Sequence, residues 1–178
     1  MKKFFLCFCF AGFLFSCNNS KTESATASAD TTAKKPMADL PYTASYSSNF
    51  TQDVSDADLK NVLMSYKHWA DGDMTALANT IGDSITVDFN NGEHFNGTQA
   101  DLMKTWSKLR DSLSSVSISM EVWQKMYEPT KKDKAILTWY KEIDTYKDGK
   151  VDSAYYHDIN GIKDGKIVFF SQYKRPAK

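Results

Sequence analysis

The sequence predicts one α+β domain, in which three helices are packed against a long antiparallel sheet. Three observations lead to this prediction. Apolar residues recur at helical spacing between residues 56 and 113, and strict alternation replaces that spacing after residue 115. Asp-Gly pairs at 148–149 and 164–165 are strong hairpin signals. A sheet with strands this long twists, so we expect it to curve strongly around the helices.

The first two helices have recognisable ends. Ser55 and Asp58 have the spacing of a capping box, which predicts a helix over 56–70. The segment Asp71-Gly72-Asp73 ends that helix, and Asp73 can cap a second one over 74–81. The first helix should bury one apolar stripe, formed by Leu59, Val62, Leu63, Tyr66 and Trp69.

A short hairpin separates the second helix from the third. Residues 85–89 alternate as a strand, and the turn at 90–92 lets 93–95 pair back. Thr98 and Asp101 then form a second box-like cap. The third helix should bury a stripe that comprises Leu102, Trp106, Leu109 and Leu113.

Four long strands follow, over 116–127, 135–146, 151–162 and 166–174. In the first of them, apolar residues at 116, 118, 120 and 122 alternate with polar ones. The turns that join the last three contain the two Asp-Gly pairs. We therefore expect an antiparallel arrangement of neighbouring strands.

The chain begins with the pattern of an export signal. Lys2 and Lys3 precede twelve apolar residues, 4–15, which are too few for the roughly 20 that a membrane-spanning helix needs. Leu14, Ser16 and Cys17 then resemble the lipobox of bacterial lipoproteins. The resemblance implies that acyl chains such as palmitate on Cys17 anchor the exported protein to a bacterial membrane. We expect the outer membrane, facing the periplasm or the cell surface; an ordinary signal peptide cleaved nearby is the alternative.

Composition divides the rest of the chain in two. Residues 18–52 are rich in Ser, Thr, Ala and Lys, which predicts a disordered tether, and 53–178 form the domain. All three cysteines lie within the first 17 residues, so the domain has no disulfide and no thiolate metal ligand. Residues 53–178 carry 17 basic and 19 acidic side chains, and this balance excludes an extended nucleic-acid surface.

The order of elements resembles the nuclear transport factor 2-like (NTF2-like) superfamily, and within it the SnoaL-like branch. The resemblance is carried by the segments 69–73 (WADGD), 95–97 (FNG) and 164–167 (DGKI). It implies a cone of three helices in a curved sheet. Members of the superfamily include isomerases, cyclases, dehydratases, binding modules and interaction domains, so the fold alone does not select a function.

The resemblance also implies a pocket at the open end of the cone. The residues expected to line it are Tyr66, Trp69, Trp106, Trp139, Tyr155, His157 and Gln172. For the three tryptophans a plain core position is the alternative. His157 is the best candidate for a general base, because the pKa of histidine lies near neutrality.

Two features weaken a catalytic interpretation. SnoaL-like enzymes place an acid toward the end of the last strand, but residues 166–178 contain no Asp or Glu. Asp88, Asp144 and Asp158 remain as acidic partners, although Asp158 should point away from His157, its neighbour on the same strand. The three histidines lack paired metal-ligand spacing, so we predict no metal and no cofactor.

Two functions therefore remain open. The first is a non-catalytic module that binds a small apolar ligand or a partner protein. The alternative is an isomerase, cyclase or dehydratase in which His157 is the general base. The resemblance further implies a homodimer through the outer face of the sheet, where Tyr140 and Tyr156 could form the contact.

Overall fold

The computed structural model describes residues 39–177. Residues from Tyr42 onward form one compact unit. The export signal, Cys17 and the tether up to residue 38 lie outside the described residues. Within 39–177, no helix combines the length and the apolar character needed to cross a membrane.

The domain contains three helices: α1 (Asp56–Asp71), α2 (Met74–Ala78) and α3 (Gln99–Asp111). Their predicted N-caps are confirmed. The Ser55 hydroxyl accepts from the backbone N–H of Asp58 at 3.0 Å, and the Thr98 hydroxyl accepts from that of Asp101 at 3.2 Å. Gly72 ends α1 with a φ of 76°, a left-handed conformation that favours glycine.

Six strands form one mixed sheet: β1 (Ile81–Asp88), β2 (His94–Thr98), β3 (Leu113–Glu128), β4 (Asp133–Tyr146), β5 (Val151–Lys163) and β6 (Lys166–Pro176). Their order is β2-β1-β6-β5-β4-β3, and only β1 and β6 pair in parallel. The α+β class is confirmed. Because β1 and β2 lie between α2 and α3, the three helices do not form one continuous N-terminal block.

The second helix is shorter than predicted. We expected it to extend to Ile81, but it ends at Ala78. The Thr80 backbone N–H and hydroxyl both donate to the Leu77 carbonyl, at 3.0 and 2.6 Å, and this turn ends the helix. Ile81 is therefore free to begin β1, where it pairs with Ile167 of β6.

The faces of β4 and β5 are assigned by burial. Even-numbered residues from 136 to 142 and from 154 to 162 are buried on the face toward α1, which we call the inner face. Tyr140 and Tyr156, with 2% and 9% exposure, belong to this inner face. The prediction that they form a dimer contact on the outer face is therefore wrong, because both rings pack in the core.

The folded domain begins earlier than residue 53. The backbone of Thr51 exchanges two hydrogen bonds with Tyr127 of β3, at 2.8 and 2.9 Å. Ser47 donates to the Glu128 carboxylate at 3.0 Å, and the Lys131 ammonium lies 3.4 Å from the centre of the Tyr46 ring. These contacts move the tether boundary from residue 52 toward Tyr42.

Candidate functional site: an acid-lined inner cavity

A cavity of about 280 Å³ lies between α1, α3 and the inner face of the sheet. One wall is apolar, and its tryptophan rings pack edge to face: the Trp69 and Trp106 centroids are 6.4 Å apart, and those of Trp106 and Phe170 are 6.0 Å apart. Leu77, Ile81, Ile85 and Phe89 complete this wall. The opposite wall, formed by β4, β5 and β6, is polar.

The buried carboxylate of Asp158 organises the deepest part of the polar wall. Its Oδ2 accepts hydrogen bonds from the hydroxyl groups of Tyr66, at 2.9 Å, and Tyr140, at 2.8 Å. Asp158 itself is 0% exposed, and the two tyrosines line the cavity. The two hydroxyl groups hold the carboxylate in one orientation behind the cavity surface.

Further side chains fix the two tyrosines. The Tyr66 oxygen accepts from Asn160 Nδ2 at 3.0 Å and lies 2.7 Å from the Thr138 hydroxyl. Since the one proton of Tyr66 is donated to Asp158, Thr138 is the donor in that contact. Gln172 Nε2 donates to the Tyr140 oxygen at 3.2 Å. This network joins α1 to β4, β5 and β6.

Burial changes the acid–base properties of this network. It raises the pKa of Asp158 to about 7, and the hydrogen bonds from the tyrosines only partly oppose this effect. Burial also raises the pKa of Tyr66 and of Tyr140 well above the usual value, so both hydroxyl groups stay protonated. Near neutral pH, Asp158 therefore exists in both protonation states.

A pair of carboxyl groups lies nearer the mouth of the cavity. Glu142 and Asp144 are two residues apart on β4, so their side chains share the inner face and contact each other. Burial, followed by the charge of Asp144, raises the pKa of Glu142 to about 8, although the Trp69 side chain donates to Glu142. Burial also raises the pKa of Asp144. Glu142 consequently keeps its proton at neutral pH.

Charged groups of β5 and β6 complete the mouth. Asp152 is paired with Asp144 across the two strands, and its carboxylate accepts from Lys174 at 2.8 Å. This hydrogen bond lowers the pKa of Asp152 and raises that of Lys174. The Lys174 ammonium also lies 5.7 Å from the centre of the Tyr156 ring, and burial raises the pKa of Tyr156 to about 12.

The polar wall contains buried acceptor atoms that have no protein partner among the described residues. These atoms are Oδ1 of Asp144, Oδ1 of Asp158 and Oδ1 of Asn160. A buried acceptor without a partner is unfavourable, and at a cavity wall it can be satisfied by a bound molecule. The wall thus offers acceptors to a ligand.

The structure brings together four of the seven predicted pocket residues. Tyr66, Trp69, Trp106 and Gln172 all line the inner cavity. Trp69 and Trp106 are partly buried, and both also pack against the core. These four residues therefore lie around one cavity.

The other three, Trp139, Tyr155 and His157, lie on the outer face. His157 stacks on Trp139, with 4.4 Å between ring centres, and on Tyr173 at 5.9 Å. Burial lowers the pKa of His157. These three residues border a separate, shallow outer depression. Their predicted place in the cone is wrong, because these odd-numbered positions of β4 and β5 point outward. Asp158 points away from His157 as expected, but Asp158 is the one of the two that faces inward.

Sequence reasoning missed several important residues of the polar wall: Tyr140, Glu142, Tyr156, Asn160 and Lys174 line the cavity without having been predicted to do so. Asp144 was named only as a possible partner for His157. The sequence signal that could have found them is the two-residue alternation of side chains along β4. It places Glu142 and Asp144 on the same face as Tyr140. Within residues 39–177, no group of three His, Cys, Asp or Glu side chains is arranged to hold a metal ion.

No protein-family model matches this sequence, and no curated protein matches it. Solved structures nevertheless share the fold. An epoxide hydrolase of Mycobacterium tuberculosis described as LEH-like is 10% identical, with 67% of this chain and 83% of that chain covered and a TM-score of 0.57. An NTF2-like protein from Burkholderia pseudomallei is also 10% identical, with coverages of 68% and 92% and a TM-score of 0.57.

A third structure extends the comparison to the SnoaL-like branch. A Jannaschia protein assigned as a SnoaL-like polyketide cyclase is 12% identical, with coverages of 70% and 91% and a TM-score of 0.54. At such low identities the similarity concerns the fold and not the chemistry. Together with the six-stranded mixed sheet and the helices packed on its inner face, these structures show that the domain has the NTF2-like fold.

Proposed function

We propose that this protein is an exported, lipid-anchored binding module whose inner cavity takes a small amphipathic ligand. The observation that carries the proposal is the two-sided cavity, in which a tryptophan-rich wall faces a polar wall with unsatisfied acceptors. Such a combination of apolar surface with a few polar groups is typical of small-molecule sites. The lipobox-like sequence that ends at Cys17 supports the membrane attachment.

The size of the cavity limits the ligand. An engineered apolar cavity of about 150 Å³ accepts one benzene molecule. The present cavity has about 280 Å³, roughly twice that volume. A ligand of about ten to twelve non-hydrogen atoms is therefore expected to fit.

A pair of variants tests the site. Leu109 lines the cavity and is 49% exposed, so Leu109→Trp should block the mouth without disturbing the core. Val122→Trp is the matched control, because Val122 is 52% exposed and does not line the cavity. The probe is 4-phenylbutanol, measured by titration calorimetry. We expect binding to wild type and to Val122→Trp, and at least tenfold weaker binding to Leu109→Trp. Equal binding to all three proteins would refute the site.

Acid–base catalysis in the same cavity is the second candidate. It is favoured by the Glu142–Asp144 pair, which holds a proton near neutral pH beside an apolar wall. Because one protein with this fold is described as an epoxide hydrolase, styrene oxide is a reasonable test substrate. If the protein is a catalyst, wild type should form the diol faster than buffer alone does. The rate of diol formation should fall at least a hundredfold in Glu142→Gln. A wild-type rate equal to buffer would exclude this reaction.

We also propose that the outer face of the sheet binds a second copy of the chain. Exposed side chains of this face support the proposal, since Val122 and Tyr173, which pair with the outer residues Trp139 and His157, are 52% and 58% exposed. Sedimentation equilibrium should give a dimer for wild type and a monomer for Tyr173→Glu. A monomeric wild type at micromolar concentration would remove the proposal.

A further inference from the structure

We infer that the polar group of the ligand is a positively charged hydrogen-bond donor, so the inner cavity is a site for a small apolar amine. This inference rests on the proposed binding function and adds the chemical class of the ligand. Three properties of the cavity lead to it: the donors around Asp158 are already engaged, the unpartnered polar atoms of the wall are carboxyl and amide oxygens, and the charge of the wall is negative.

The donors of the deep wall are engaged within the protein. Tyr66 and Tyr140 both donate their single proton to Asp158. The amide nitrogen of Gln172 donates to Tyr140, and that of Asn160 donates to Tyr66 and to the Ile136 carbonyl at 3.2 Å. A ligand carbonyl or carboxylate that reached the deep wall would have to break one of these hydrogen bonds to find a donor there.

At the inner wall, the buried polar atoms without partners are carboxyl and amide oxygens. Asp158 and Asn160 are both 0% exposed, and Oδ1 of each side chain has no hydrogen-bond partner in the described chain. Oδ1 of Asp144 is likewise buried and unpartnered. Asn160 and Asp144 line the cavity directly. An ammonium group brings three donors and no acceptor, which is the complement of this surface.

The charge of the polar wall favours the same ligand. Glu142, Asp144 and Asp152 line the cavity, and Asp158 lies directly behind it. Among the lining residues that the structure describes, Lys174 is the only cation, and it is bound to Asp152. The nearby Arg110 donates to the backbone carbonyls of α1 at 2.9 and 3.0 Å. An anion would therefore meet mostly like charge.

Binding of an ammonium should release a proton. Glu142 contacts Asp144 and carries a proton at neutral pH, because burial and the charge of Asp144 raise its pKa to about 8. The ammonium can replace this proton: the intact R–NH₃⁺ binds between the two carboxylates, and the displaced proton passes to solvent. The groups that face this pair from the surrounding elements are Tyr66, Arg110, Tyr140, Asp152, Tyr156, Asp158 and Lys174.

A matched ligand series tests the inference on the full, unmodified protein. 4-Phenylbutylamine, 4-phenylbutanol and 4-phenylbutyrate differ only in their polar group. At pH 7, titration calorimetry should give at least tenfold tighter binding of the amine than of the alcohol, and the weakest binding for the carboxylate. Titration in two buffers of different ionisation enthalpy should show up to one proton released with the amine and none with the alcohol.

A variant identifies the carboxylate responsible. Glu142→Gln should weaken binding of the amine at least tenfold and should weaken binding of the alcohol by a clearly smaller factor. Glu121→Gln is the matched control, because Glu121 is exposed on β3 and does not line the inner cavity. An alcohol or a carboxylate that binds wild type as tightly as the amine overturns the inference and leaves the binding function standing. If no member of the series binds, both proposals fail.

Discussion

Replacement of Asp158 by Asn should change how the stability of the domain depends on pH. In the folded protein, burial raises the pKa of Asp158 from 3.8 to about 7. A group with a raised folded pKa binds its proton more tightly when folded, so its stabilising effect is complete below pH 3.8 and is lost as pH rises toward 7. A shift of about three pKa units corresponds to about 4 kcal/mol.

Urea denaturation of wild type and Asp158→Asn between pH 4 and 8 measures this effect. Asn resembles the protonated carboxyl group in shape and cannot ionise, so the free energy of unfolding of wild type minus that of the variant isolates the titration of Asp158. We expect this difference to fall by about 4 kcal/mol over the range. Taking the difference removes most of the contribution of Glu142, which titrates in both proteins.

A second substitution controls for the change in net charge. Asp53→Asn removes the same charge from an exposed position before α1. The stability difference between wild type and this variant should vary by less than about 0.5 kcal/mol over the pH range. If the Asp158→Asn difference is also constant within about 1 kcal/mol, burial does not hold a proton on Asp158 and the reasoning is refuted.

Three further substitutions test the wall, its support and the outer face. Tyr66→Phe removes a hydroxyl that takes part in three side-chain hydrogen bonds. Urea denaturation should therefore show a free energy of unfolding lower by about 1–3 kcal/mol. The control Tyr173→Phe, at an exposed position, should lower it by less than about 0.5 kcal/mol. Arg110→Lys loses the planar contacts to the last carbonyls of α1 and should cost about 1–2 kcal/mol by the same assay. His157→Ala should leave the calorimetric affinity for 4-phenylbutanol unchanged, because His157 lies on the outer face; a tenfold loss would contradict that placement.

Features that depend on neighbouring residues were predictable from the sequence. The hydroxyl groups of Ser55 and Thr98 cap helices because each can reach an N–H three residues further on, and no distant contact is required. Gly72 ends α1 for an equally local reason, its left-handed backbone. The Asp-Gly turns before Lys150 and Lys166 likewise join antiparallel strands.

Features that depend on distant residues were not predictable in the same way. Alternation shows that two faces exist, but both faces of β4 and β5 carry aromatic side chains, such as Trp139 beside Tyr140. The inner face is selected by α1, whose Tyr66 ring lies 5.0 Å from that of Tyr140 and whose hydroxyl reaches Asp158. That contact joins residues 92 positions apart, so a local pattern does not contain it.

The chemistry of the cavity depends on this one choice of face. On β4, the inner positions are Tyr140, Glu142 and Asp144, whereas the adjacent outer positions are Trp139, Lys141 and Ile143. A shift by one residue would exchange the two sets, because side chains alternate strictly along a strand. The cavity would then have an apolar and basic wall, and the expected ligand would be an anion. The search for an acid on the last strand missed this wall because the carboxylates that face the cavity come from β4 and β5.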